Sequence, residues 1–420
     1  MARDKIRELE QQGIVTYTEG IRTVDASQLT GPLVGRNTPI KKEVDKRQVK
    51  EKPQSPKKDL VPKEMQQREL LNQQFSKEFS MSEEQVPKGV GLDIGTSFLV
   101  SGKFEKDGKI RFKKLRDCFL ELEPKTPINK KFIQKGLDER KAPYVEKDGK
   151  FYVLGEEAFL MANERHVNTR RPMVKGVISP AEKEALPILR ELIKRLVGEP
   201  RIKDERLVYS VPGKPIDAEF DQVFHQEILG SFIKSLGFDA HPMNEAEALA
   251  YSELLEEGLT GISISCGAGM MNVAVLSSGE TVVNFSTSKS GDWVDQQAAI
   301  ATNMTHSMVQ QEKESPELDL MNPDPDNQIH RAIAIYYGNL IVYTLEQVAY
   351  DLRRSPALPK FKDPVPLVVA GGTSLPKGFI PKFEQALSAV DMPIKISGVR
   401  HAADPLHAVC NGLCLAASME

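Results

Sequence analysis

The pattern of apolar and polar positions changes character near residue 86. From residue 89 onward, short apolar runs bounded by glycine turns alternate with longer stretches of helical period. Gly89-Val90-Gly91-Leu92-Asp93-Ile94 reads as a buried strand. After Gly95-Thr96-Ser97 the chain resumes as Phe98-Leu99-Val100, and Asp107-Gly108 turns it into a third strand over 109–112. The same meander returns 172 residues later: residues 261–265, a turn at Gly267-Ala268-Gly269, residues 272–276, Ser278-Gly279 and residues 281–285. This repeat predicts an α/β protein of two lobes with similar cores. Between the two meanders, Asp217 is placed to N-cap a helix with Phe220, Val223, Phe224, Ile228, Phe232 and Leu236 on one face and Gly237 at its end. A second long helix is expected over 329–352, after an exposed loop at 321–326.

Upstream of residue 86 the pattern is lost. Residues 37–86 are rich in lysine, carry Pro39, Pro53, Pro56 and Pro62, and have no aromatic before Phe75, so little apolar surface offsets the entropy of ordering. A disordered, locally basic tail is expected over 1–86. Within it, residues 63–81 lack Gly and Pro and space Leu71, Phe75 and Phe79 four apart, as a transient helix would.

Composition adds mainly exclusions. The 420 residues allow two or three domains, and 40% hydrophobic and 27% charged residues with net charge -3 describe an ordinary water-soluble chain with no bias toward nucleic acid. Cys118, Cys266, Cys410 and Cys414 form no metal or disulfide pattern and are expected as reduced thiols. No stretch of 18 residues is free of polar breaks, and Met1-Ala2-Arg3-Asp4-Lys5-Ile6-Arg7 has no apolar h-region behind its charges. A cytoplasmic protein without a transmembrane segment is expected.

A tight turn of small residues lets backbone N–H groups converge on an anion, because no side chain blocks the approach. Two such hairpins facing each other would grip a polyphosphate from both sides. Asp93, two residues before Gly95, is placed to hold the water shell of a magnesium ion while Thr96 and Ser97 offer hydroxyls and amides to phosphate.

Gly91-Leu92-Asp93-Ile94-Gly95-Thr96-Ser97 resembles the first phosphate motif of the actin and heat-shock-chaperone ATPase superfamily, and residues 265–272 resemble its second. Val368-Val369-Ala370-Gly371-Gly372-Thr373-Ser374-Leu375 is similar to its adenosine motif. The segments at 153–158 and 171–178 look like those of bacterial actins of the MreB and MamK type. Asn244-Glu245-Ala246-Glu247-Ala248-Leu249-Ala250, the Ser290-Gly291-Asp292-Trp293-Val294-Asp295 turn and residues 403–412 also fit the superfamily. The resemblance spans about residues 87–418. It implies the actin-like fold of duplicated ribonuclease-H-like lobes with inserted subdomains, and ATP with Mg2+ in the cleft between them. By position it assigns Asp93, Gly95, Thr96, Ser97, Gly267, Ala268, Gly269, Gly291, Gly371, Gly372 and Thr373 to the nucleotide and Asp93 with Glu245 to the metal. Glu245 has an alternative role as a helix cap. The resemblance places the water-polarising glutamate seven residues after Pro212, at Glu219, which would otherwise only complement a helix dipole. His225, on the same helix, is better read as a surface or core residue.

Departures matter as well. Relatives open the second phosphate motif with an aspartate and follow its glycines with hydroxyl residues; here those positions hold Ser265, Met270 and Met271, with Asn272 at the closing acidic one. Methionine has no donor for a phosphate oxygen, so nucleotide binding should survive better than hydrolysis. The expected organisation is the tail at 1–86, lobe I at 87–206 with the C-terminal helix from about 400 returning to it, and lobe II at 207–399. The expected function is a bacterial actin-like cytoskeletal protein that binds ATP and polymerises with itself, with weak ATPase activity and a possible adaptor on the tail. Its closest rival is a nucleotide-binding scaffold without useful turnover. A chaperone would need a substrate-binding module, and the sequence runs only to Glu420 after the closing helix. Nothing specific supports a sugar or carboxylate kinase.

Overall fold

The computed structural model describes residues 15–18, 21–24, 89–219 and 222–419. Strands β1 (Val15–Thr18) and β2 (Ile21–Val24) pair antiparallel, Val15 opposite Val24, in a unit assigned to residues 1–69. They fall inside the stretch expected to be disordered. The rest of that tail, with the helix expected over 63–81, lies outside the described residues.

The second unit opens with the predicted meander, β3 (Val90–Ile94), β4 (Phe98–Phe104) and β5 (Ile110–Arg116). An insertion follows: β6 (Phe119–Leu122), α1 (Pro127–Glu139), β7 (Tyr144–Lys147), β8 (Lys150–Leu154) and α2 (Gly155–Glu164). Its strands make a separate sheet, β6-β8-β7, over a small core of its own. A two-residue hairpin, β9 (Met173–Val174) with β10 (Val177–Ile178), leads to α3 (Ala185–Val197). Leu189, Leu192, Ile193 and Leu196 recur at helical spacing on α3 and are buried with Val90 and Leu92 of the sheet, each worth roughly 1.5–3 kcal/mol over an exposed position. Then β11 (Glu205–Val211), α4 (Gln222–Ser235) and β12 (Phe238–Asn244) complete the first five-stranded sheet, ordered β12-β11-β3-β4-β5.

The expected lobe boundary at 206/207 is therefore corrected. It cuts β11, whose Leu207 and Tyr209 pair in parallel with Val90 and Leu92, so lobe I runs to Asn244. A buried apolar run is equally compatible with either sheet, and its hydrogen-bonded neighbour is not written in its own sequence. The helix expected from Asp217 begins at Gln222 as described, and its buried face is His225, Leu229 and Ile233. Val223 and Phe224 are exposed instead. A buried histidine misphased the apolar stripe: its Nδ1 accepts from the Ile178 N–H at 3.2 Å, and burial pushes its pKa down to about 4, so it is a neutral core residue.

Lobe II repeats the plan. After α5 (Glu245–Glu253), strands β13 (Gly261–Cys266), β14 (Met271–Ser277) and β15 (Glu280–Thr287) form the second meander. Helices α6 (Gly291–Thr302), α7 (His306–Lys313) and α8 (Gln328–Arg354) follow, the last N-capped by Asn327, whose Oδ1 accepts from Ile329 N and His330 N. Strand β16 (Val365–Ala370), α9 (Phe379–Ala389) and β17 (Ile396–His401) close a sheet ordered β15-β14-β13-β16-β17, again a meander extended by two parallel strands. Helix α10 (Ala408–Ser418) lies between β3 of lobe I and α5. It crosses α5 so closely that a Cβ at Gly412 would stand 1.8 Å from the Ala248 carbonyl oxygen. These two alanine-rich helices fill the space between the sheets and bring the ends of β3 and β13 to a common cleft.

Candidate functional site

The cleft encloses about 490 Å³ between the lobes. Its walls include Asp93, Gly95, Thr96 and Ser97 from lobe I, and Gly267, Ala268 and Gly269 from lobe II. Gly371, Gly372 and Thr373 line it at the turn after β16, and Glu245 lies in the floor. Those predicted positions thus converge.

Each hairpin closes on itself. Gly95 N donates to Phe98 O at 3.1 Å, and Gly267 N to Met270 O at 3.0 Å. The two turns meet at the cleft wall: Thr96 Oγ1 accepts from Gly176 N at 3.0 Å, and a Cβ at Gly269 would lie 2.3 Å from that same oxygen. Only glycine fits at 269. The Gly267 carbonyl collects the Thr373 hydroxyl at 2.7 Å, the Gly291 N–H at 3.3 Å and the Ser290 hydroxyl, which fixes the second hairpin from behind. Gly291 is therefore a brace under the hairpin and does not itself line the cleft.

The floor holds two carboxylates. Asp93 Oδ1 accepts from Ser210 Oγ at 2.9 Å, and Ser210 Oγ accepts from Ile94 N at 2.7 Å. Glu245 Oε2 accepts from Asn272 Nδ2 at 2.9 Å and from Ser265 Oγ at 3.3 Å, while Asn272 Oδ1 takes the Gly213 N–H at 2.8 Å. Asn244, not Glu245, caps α5, through Ala246 N and Glu247 N. Desolvation pushes both acids above the usual carboxylate range, and the Asp93 charge pushes Glu245 further; the hydroxyl and amide bonds act the other way. Two acids held up in this way, with oxygen donors beside them, are a chemical fit for a hard divalent cation. The replacements in the second motif are built in. Asn272 serves as donor to Glu245 and acceptor for Gly213, which a carboxylate cannot do. Met270 packs its sulfur against Gly176, and Met271 lies in the lobe II core.

Glu219 is not brought to this site. It is exposed, precedes α4 and is absent from the cleft walls. Its segment runs along β15: Ser286 N donates to Lys214 O at 2.9 Å and Ile216 N to Ser286 O at 3.0 Å. Asp217 accepts from Ser288 N at 2.8 Å and from the Tyr343 hydroxyl at 2.5 Å, so it anchors the loop on lobe II.

Sequence reasoning missed Gly176, Ser210 and Gln310, the last of which donates to Ser97 Oγ at 3.1 Å. These are common residue types whose partners stand 80, 117 and 213 positions away, and no local pattern marks them. A neighbouring group, Asp292, Asp295 and His306, gathers donor atoms within 4.8 Å of one another. Arg171 already holds Asp292 at 2.6 Å and Lys313 holds Asp295 at 2.7 Å, which balances the charge there without a cation.

Comparison with known proteins places this geometry. No helix of the described residues is long and apolar enough to cross a membrane, and no curated protein matches the chain. Among solved structures, a MamK double helical filament is 19% identical, with 79% of this chain and 99% of that chain covered and a TM-score of 0.55. MreB5 of Spiroplasma citri bound to AMPPNP is 16% identical over 79% of this chain and 96% of that chain, with a TM-score of 0.53. The ADP-bound form gives 17%, 78%, 95% and 0.52. These likenesses establish the actin-like ATPase fold expected from the motifs. The Volactin family model matches residues 89–418, which covers both lobes and the closing helix, and the chain belongs to the Volactin family.

Proposed function

We propose that this protein binds an adenine nucleotide with Mg2+ in the inter-lobe cleft and polymerises with itself into cytoskeletal filaments, turning ATP over slowly. The observation that carries the reading is the meeting of two duplicated glycine hairpins and the Gly371–Thr373 turn over paired carboxylates. Asp93 and Glu245 would hold the ion, whose positive charge relieves their mutual repulsion and neutralises phosphate oxygens. Backbone amides of the two hairpins would take the phosphates, and the turn at 371–373 the nucleoside. Similar structures were solved as a filament and with AMPPNP or ADP bound, which supports both halves of the reading.

Slow turnover is proposed for two reasons. Ser265 stands where relatives carry an aspartate, and Glu219 lies outside the cleft with its loop held on β15. The same observations favour, as the second reading, a scaffold that binds nucleotide and recruits partners without hydrolysis. The remaining proposals are a cytoplasmic setting and an adaptor site on the basic tail.

High-speed pelleting of the full chain with ATP, ADP or no nucleotide, with negative-stain images and a phosphate assay of the same tubes, tests the reading. Ordered nucleotide-dependent filaments with slow phosphate release are expected. Nucleotide binding without filaments under any condition would transfer the assignment to the scaffold.

A further inference from the structure

Beside the cleft, whose wall includes Ser97, Gln310 and Glu314, the two lobes are tied to one another by ion pairs. Arg116, at the end of β5, is only 7% exposed. It forks onto Glu314, just past α7, at 3.0 and 2.7 Å, and donates through Nε to Glu156 at 2.8 Å. Arg171 donates to Asp292 at 2.6 Å and to Gln310 Oε1 at 2.8 Å. Gln310 in turn donates to Ser97 Oγ in the first hairpin and to Glu314, both at 3.1 Å. Arg116, Arg171 and Ser97 belong to lobe I; Asp292, Gln310 and Glu314 belong to lobe II. Parting the lobes breaks both ion pairs together and strands poorly solvated charges, which is costly unless new partners wait.

One such partner is in place. Asp117 follows Arg116, is fully buried, and has no hydrogen-bond partner on either carboxylate oxygen. Burial holds its carboxyl well above the usual carboxylate range, and the charge that pulls it back is that of Arg171. An unsatisfied acid in a core costs stability. The antiparallel bridge of Phe119 with Arg170, whose two backbone bonds are 2.8 and 2.9 Å, sets the 117–118 backbone alongside Arg171, and the present carboxylate of that guanidinium belongs to the other lobe.

We infer that the Arg116–Glu314 and Arg171–Asp292 pairs form a latch holding the cleft closed, and that Asp117 is the second station of Arg171 when the lobes part. In the closed state Arg171 spans the mouth and Asp117 stays neutral. On opening, the guanidinium exchanges Asp292 for Asp117, whose proton leaves to solvent, so the new contact is again an ion pair. The two states differ by one partner exchange, the kind of bistable contact that makes a switch. Gln310 ties the latch to Ser97, so this cross-lobe hold on the first hairpin lasts only while the mouth is shut. As a gate on nucleotide exchange, the latch rests on the nucleotide reading above.

The test relies on opposite signs. The full chain is loaded with N-methylanthraniloyl-ADP and chased with excess ATP. Glu314→Gln, which weakens the latch, should release label at least tenfold faster. Asp117→Asn keeps the shape of the neutral acid and removes the second station, so release should slow at least threefold. In the Glu314→Gln background, Asp117→Asn should bring the rate back toward wild type. A merely loosened fold speeds every variant; faster or unchanged release for Asp117→Asn overturns the exchange, and unchanged release for Glu314→Gln overturns the latch. Dyes on Lys131→Cys in lobe I and Asp324→Cys in lobe II, both exposed, read closure without nucleotide, since the native cysteines are buried. If wild type binds no labelled nucleotide yet the dye distance lengthens in Glu314→Gln and recovers in the double variant, the nucleotide reading fails and the latch stands. A distance that ignores both substitutions sinks the latch itself.

Discussion

Lobes I and II use one sheet plan, and the informative contrast is at matched positions on their central strands. Asp93 and Ser265 each stand two residues before the first glycine of their turn, at the cleft end of β3 and β13. Lobe I presents a carboxylate from the strand itself. Lobe II presents a hydroxyl, and its carboxylate, Glu245, arrives from the start of α5 and is gripped by Ser265 and Asn272. The shared topology dictates where the strand ends meet the cleft, but not which charge stands there. Each lobe thus supplies one acid, by different routes.

The contrast is broken most severely by making the lobes alike. Ser265→Asp removes a donor to Glu245 and adds a third carboxylate beside two that are already pushed up. A buried charge without a partner costs roughly 3–5 kcal/mol, so magnesium-free protein should lose about that much in chemical denaturation, and magnesium with nucleotide should restore part of it. Ser265→Ala, losing one neutral bond, should cost only about 1 kcal/mol. Equal stability of Ser265→Asp and wild type without magnesium would show that the floor is not electrostatically saturated.

Removing the lobe I charge comes next. Asp93→Asn should weaken magnesium-dependent ATP binding about 100-fold, near 2.7 kcal/mol, whereas Ser265→Ala changes it less than about threefold on the same scale. Calorimetric titration with and without magnesium separates the two. Equal losses would mean that the hydroxyl of lobe II contributes as much as the carboxylate of lobe I.

A pH dependence follows from the raised acid of lobe II. Because Glu245 titrates higher folded than unfolded, its contribution to stability is complete below the unfolded value near 4.5 and is lost as pH rises through the folded value. Without magnesium, unfolding free energy should fall across the neutral range with a slope of up to about 1.4 kcal/mol per pH unit. Glu245→Gln, fixed in the neutral form, should flatten that limb. A slope that persists unchanged in Glu245→Gln assigns it to another group.

Much of this was legible in the chain and some of it was not. Strand, turn and repeat patterns announced both meanders, because a two-residue period and a glycine turn are local facts. The long helix found at Gln328–Arg354 was legible in the same local way, whereas the meeting of the two hairpins with the turn at 371–373 was implied by the family resemblance. The lobe boundary failed because β11 carries no mark of which sheet it joins. The α4 face failed because His225 is apolar in effect when it stays neutral. Arg116, Arg171 and Gln310 went unread because their partners lie across the cleft, and a charged side chain shows no sign in sequence of being held there.

The smallest expected effect concerns the residue that the family resemblance ranked first for catalysis. The loop that carries Glu219 belongs to lobe I and is laid along the lobe II edge strand β15. For its carboxylate to enter the cleft, the Lys214–Ser286 and Ile216–Ser286 backbone bonds must break, together with the grip of Ser288 and Tyr343 on Asp217. Several bonds, each worth about 1 kcal/mol net, therefore hold it away. Glu219→Ala should leave ATP affinity unchanged and phosphate release within about twofold, a barrier change of roughly 0.4 kcal/mol. Should phosphate release instead fall tenfold, the loop must detach in the reacting state. In that case Asp217→Asn, which loosens the tether while sparing Glu219, should raise turnover, and the difference between the lobes would lie in a movable arm as well as in a fixed charge.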